Sequence, residues 1–150
     1  RGATIIEALV AIALAGIILT AISSLVTKSI AASNASKDRT IATRYAEEGV
    51  ETARVTRDSS GFTTFFSNYV NSTTYYIDSN YQLTATLNSD YLKSQGSSFL
   101  RTVTFKDSSA SCGGKSCGNI AQVEVIVSWN NGAGKTDKVT IDSYISKWLP

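Results

Sequence analysis

Three stretches of this sequence hold residue types that could do chemistry. Gly132-Ala133-Gly134-Lys135-Thr136 looks like the end of a phosphate-binding loop. Such a loop needs another glycine five residues before Gly134, where Trp129 stands. It also needs a strand before it and a helix after it, so that helix-terminal N–H groups face phosphate. Strand-like runs flank this segment on both sides, so a hairpin turn from Asn130 to Gly134 is the expected reading. Cys112 and Cys117 enclose a Gly-rich loop of four residues. Redox pairs more often have two intervening residues at a helix start, so a structural disulfide is expected ahead of free thiols. Glu7 stands at the start of a long apolar run. A carboxylate is costly to leave in lipid and marks a functional site by default. Thr4-Ile5-Ile6-Glu7 also fits a capping box with a first-turn acid. On physics alone the two readings stand level.

Other chemistry is excluded by composition. The 150 residues contain no histidine, which removes Ser-His-Asp and Cys-His catalysis, histidine general bases and His-ligated zinc. Two cysteines cannot build a four-thiolate site. No catalytic, metal or cofactor-binding residues are therefore expected, and the chain reads as a non-enzyme. Fourteen basic against twelve acidic residues leave a net charge of +2, too little to hold nucleic acid by counterion release. The basic residues Lys93, Arg101, Lys106, Lys115, Lys135, Lys138 and Lys147 are nearly matched by acids, so the second part of the chain has no basic patch for nucleic acid. The 43% hydrophobic share is ordinary for a folded domain.

The elements that must position these residues divide the chain in two. From Ala8 to Thr27 run 20 uncharged, mostly apolar residues. As a helix they span about 30 Å, the thickness of a bilayer's hydrocarbon core. A transmembrane helix is expected over residues 3–27. Residues 28–57 continue it as an amphipathic helix, in which Ala42, Ala46, Val50 and Ala53 form a narrow apolar stripe. Arg39, Arg44, Glu47, Glu48, Glu51 and Arg54 read as a solvated face, with Arg44 and Glu48 spaced for surface support. A single helix from Ala3 to Arg57 would be about 80 Å long, too long for a small globule to bury. Asp58-Ser59-Ser60-Gly61 is the stop signal, and residues 58–150 form the globular head. Phe62, Phe65, Phe66 and Tyr69 open the connection to it. Period-two alternation then marks four strands, around Leu83-Ala85-Leu87, Val103-Phe105, Val123-Val125-Val127-Trp129 and Val139-Ile141-Ile145. The predicted fold class is α+β, a four-stranded antiparallel sheet whose apolar face is covered by the helix stripe.

Arg1-Gly2-Ala3-Thr4-Ile5-Ile6-Glu7-Ala8-Leu9-Val10-Ala11 resembles the N-terminal segment of type IV pilins and pseudopilins. The likeness covers about the first third of the chain. It implies that Arg1-Gly2 ends a leader peptide, that a prepilin peptidase cuts between Gly2 and Ala3, and that Ala3 becomes a mature, N-methylated end. It also implies an assembly role for Ala3 and Glu7, with Glu7 neutralising the amine of a neighbouring subunit, and a helix that loosens at Gly16. The proline common in major pilins would fall at Ser24 and is missing, which leaves minor pilins open. Tyr45-Ala46-Glu47-Glu48-Gly49-Val50-Glu51 is similar to PilV-like minor pilins.

The resemblance implies a ladle-like subunit held in the cytoplasmic membrane, N-terminus inside, before assembly into an extracellular surface filament. Its partners would be copies of itself or other pilins, the prepilin peptidase and the pilus assembly machinery. The alternatives are a low-copy minor pilin or pseudopilin of a DNA-uptake or secretion system, and a membrane-anchored extracellular binding domain. Asn34-Ala35-Ser36 and Asn71-Ser72-Thr73 match the glycan acceptor pattern. Because the sequence opens on Arg1 without a methionine, loss of the initiator end is expected as well.

Overall fold

The computed structural model describes residues 2–87, 91–94, 96–108, 120–131 and 134–147. The chain divides into two compact units, Arg1–Asp38 and Arg39–Pro150. Helix α1, Gly2–Ser60, belongs to both. Within the first unit the helix is alone, and every described side chain from Thr4 to Lys37 is exposed.

The second unit is a helix on an antiparallel sheet. Ala42, Ala46, Val50 and Ala53 are buried, so the small-residue stripe is the covering face of α1. Gly49 lies in the same stripe, and a Cβ built there would come 2.8 Å from Cγ1 of Val125. Glycine is therefore what lets the helix backbone approach the sheet this closely. The helix ends at Ser60 rather than Arg57. The hydroxyls of Ser59 and Ser60 both donate to the Thr56 carbonyl, and the stop comes at Gly61, whose φ of 75° suits glycine.

After Gly61 comes α2, Phe62–Tyr69, with Phe65 fully buried. Its ring meets Phe105 edge-on at 5.2 Å, and Tyr69 likewise meets Phe105 and Tyr75 edge-on. Strands β1 (Thr74–Ile77) and β2 (Leu83–Thr84) follow, then the short α3 (Tyr91–Ser94), β3 (Phe99–Asp107), β4 (Ile120–Asn130) and β5 (Thr136–Ser146). The sheet has five strands, in the order β2-β1-β3-β4-β5.

That count corrects the four strands expected from alternation. The missed strand is β1, whose Tyr75 and Ile77 are buried. It has only four residues, too few to show a period beside the polar Asn71-Ser72-Thr73 and Asp78-Ser79-Asn80 that flank it. The expected run at Leu83-Ala85-Leu87 shrinks to two residues. Thr84 Oγ1 accepts a hydrogen bond from the Thr86 N–H at 3.3 Å, turning the chain off the ladder, and Ala85 and Leu87 are exposed. The other three runs form β3, β4 and β5 with the expected faces inward. Val103, Phe105, Val123, Val125 and Val127 are fully buried.

Candidate functional site

Two features stand out, one in each unit. In the first unit, thirteen large apolar side chains between Ile5 and Ile30 are each more than half exposed. Burying one such side chain is worth about 1.5–3 kcal/mol, and monomeric soluble proteins rarely leave patches this size in water. Thr20 donates its hydroxyl to the Ile17 carbonyl, Ser23 to Leu19 and Thr27 to Ser23. These polar groups are satisfied by the helix itself, as a lipid-facing helix requires. The helix is long and apolar enough to cross a membrane.

Glu7 is exposed in this helix and is the only charge between Ala3 and Thr27. Helical backbone already begins at Gly2. Thr4 therefore lies inside the first turn of the described helix and Glu7 beyond it. Gly2 and Ala3 form the opening turn. Gly16 sits in unbroken helix, and beyond its neighbours and the helix's own backbone nothing described lies within 4 Å of where a Cβ would stand. Cys112 and Cys117 lie outside the described residues.

In the second unit, Arg101 is completely buried beneath α1. Its Nη1 lies 3.0 Å from Glu48 Oε2 and donates to the Tyr45 carbonyl at 3.1 Å. Its Nε and Nη2 find no acceptor among the described residues. Glu48 therefore turns from the solvated face expected of it toward the sheet. In the sequence Arg101 counted only as one of seven basic residues in the second part of the chain. The signal was available, because the alternation that puts Val103 and Phe105 inward puts Arg101 inward too.

Beside this pair a groove of about 690 Å³ runs between α1 and β5, lined by Arg44, Glu47, Glu51, Arg54, Ile141 and Asp142 among others. Arg54 pairs loosely with Glu51 at 3.5 Å. On the opposite sheet face Lys106 Nζ donates to Glu124 Oε2 at 2.7 Å. That hydrogen bond, aided by the charges of Glu124 and Asp142, raises the Lys106 ammonium above its ordinary 10.5. Among the described residues no three His, Cys, Asp or Glu side chains converge as metal ligands would. The Gly134-Lys135 segment is a hairpin: Asn131 N–H donates to the Lys135 carbonyl at 3.1 Å, and Asn130 pairs with Thr136. Strands on both sides exclude a phosphate loop there.

Comparison with protein-family models, curated proteins and solved structures finds no match to this chain.

Proposed function

We propose that this chain is a structural subunit that polymerises through the first half of α1 into a type IV pilus or related surface filament. The observation that carries the reading is the exposed apolar run from Ile5 to Ile30 with one carboxylate, Glu7, at its start. Such a helix needs lipid or a bundle of like helices around it. A lone carboxylate entering that low-dielectric setting needs a cation. In this reading the cation is the new amine at Ala3 of a neighbouring subunit, freed when a prepilin peptidase cuts after Gly2. The subunit takes the family's ladle arrangement, waits in the cytoplasmic membrane with its N-terminus inside and its head outside, and then joins an extracellular filament. Outside the cell the Cys112–Cys117 disulfide would persist.

The missing proline at Ser24 favours a second reading, a low-copy minor pilin or pseudopilin. Copy number in sheared surface filaments separates the two.

The test combines filament counts with N-terminal sequencing. Glu7→Gln keeps size and polarity and removes only the charge. Leaving a neighbour's amine unpaired in the core costs about 3–5 kcal/mol at each addition step, so filament number should collapse while monomer accumulates in the membrane. Sequencing of wild-type filaments should begin at Ala3. Normal filament numbers with Glu7→Gln would remove that residue's role. A chain recovered uncut and only as membrane monomer would overturn the whole reading in favour of an anchored binding domain.

A further inference from the structure

The two edges of the sheet are unlike. Edge strand β2 is two residues long, whereas β5 offers eleven residues in unbroken register with β4, without proline or bulge. Native proteins usually blunt an open edge by shortness, bulges, proline or charge; among the described residues nothing pairs with the outer edge of β5, which is long and regular and carries only the charges Asp137, Lys138 and Asp142.

The direction of its main-chain groups follows from the hairpin. Asn131 donates to Lys135 in the same register that pairs β4 with β5. Hydrogen-bonded and non-hydrogen-bonded pairs alternate along an antiparallel ladder, so odd residues of β5 aim their N–H and C=O groups at β4. The even residues Thr136, Lys138, Thr140, Asp142 and Tyr144 aim theirs at the free edge. Their side chains, on the face away from α1, are exposed. On the helix side Val139 and Ile141 are only half-buried.

We propose that two copies of this chain pair antiparallel along β5 about a two-fold axis at Thr140. In that register Lys138 stands opposite Asp142 of the second copy, and Asp142 opposite its Lys138. Thr136 faces Tyr144, and Thr140 faces itself. On the helix side Val139 meets Ile141 twice, extending each copy's apolar face over the other. About ten main-chain hydrogen bonds close at once, because the outward-aimed residues form the hydrogen-bonded pairs. Opposite charges directly across strands stabilise pairing and like charges oppose it. A strand that carries Lys and Asp equally spaced about its central residue is complementary to itself, which a closed two-fold interface requires. The pairing is independent of what the apolar half of α1 does.

The experiment is disulfide trapping of the full chain in detergent micelles, read by mass spectrometry of linked peptides. Across the axis the two Thr140 Cα atoms would be about 5.5 Å apart, within disulfide range. The two Lys138 positions would be separated by about 13 Å along the strand. Thr140→Cys should therefore give the 140–140 linkage, and Lys138→Cys should not give 138–138. Adding Asp142→Lys to Thr140→Cys should cut the yield about tenfold, and adding Lys138→Asp as well should restore it. Equal trapping at both positions would mean association elsewhere and would overturn the proposal. So would a yield indifferent to the charge reversal, or one that the double reversal does not recover.

Discussion

At the residue scale, Arg101 is a charge the fold holds at a cost. Burying a guanidinium against one carboxylate, with two nitrogens unpartnered among the described residues, does not on balance stabilise a core. What the pair does is hold α1 in one register on β3, since Glu48 and the Tyr45 carbonyl grip the same nitrogen. Removing one partner should be worse than removing both. Glu48→Ala strands the guanidinium and should cost about 3 kcal/mol, the low end for a buried pair because Glu48 reaches solvent. The double change Glu48→Ala with Arg101→Met should recover most of that loss. Denaturant midpoints followed by the fluorescence of buried Trp129 measure both. Lys106 offers a gentler check on the opposite face. Its raised folded-state value means that the bond to Glu124 supports the fold below pH 10.5 and fades as pH climbs through the folded-state value. Glu124→Gln should bring the Lys106 titration, followed by NMR, back toward 10.5.

At the scale of elements, the helix–sheet contact rests on small residues. A larger side chain at Gly49 has no room over Val125. Gly49→Ala gains about 1 kcal/mol of helix propensity but overlaps a buried, branched side chain, which typically costs about 1–3 kcal/mol. The net should be destabilising, and the same substitution should cost less when Val125 is already alanine. A double-mutant cycle reads that coupling. The stripe and the long strands were legible in the sequence because each repeats its period several times. Ala42, Ala46, Val50 and Ala53 mark 3.6, and Val123 to Trp129 mark two. The strand Thr74–Ile77 was not, because its place is decided by pairing with Thr104 and Val103 rather than by its own pattern. For a related reason Arg101 was not singled out. A charge is inward only if something far along the chain receives it, and Glu48 lies on another element. Near the N-terminus, Glu7 was conspicuous by its isolation among apolar residues, and the helix described from Gly2 puts it beyond the first turn.

At the scale of the whole molecule, the two units divide the labour of the chain. Among the described residues the core draws on Ala42 to Ile145, and none of the exposed apolar residues of the first unit takes part. Ile17→Arg should therefore leave the stability of the second unit within about 0.5 kcal/mol. It should nonetheless sharply reduce membrane retention, because a cation in the middle of the run costs about 2.5–3.5 kcal/mol to insert. Fractionation of cells together with a Trp129 melt separates the two effects. Loss of head stability in this variant would show that the apolar half supports the fold directly.

The closeness of Gly49 to Val125 also sets a schedule. These residues are 76 positions apart in the sequence, and a chain made at roughly 5–20 residues per second needs about 4–15 s to extend from one to the other. The same interval separates their emergence from the ribosome, and during it the stripe of α1 is outside while its cover is not. Alanine and glycine offer little apolar surface to bind the wrong partner meanwhile. A stripe of leucines in the same place would form as good a helix, but it would wait with a far stickier face.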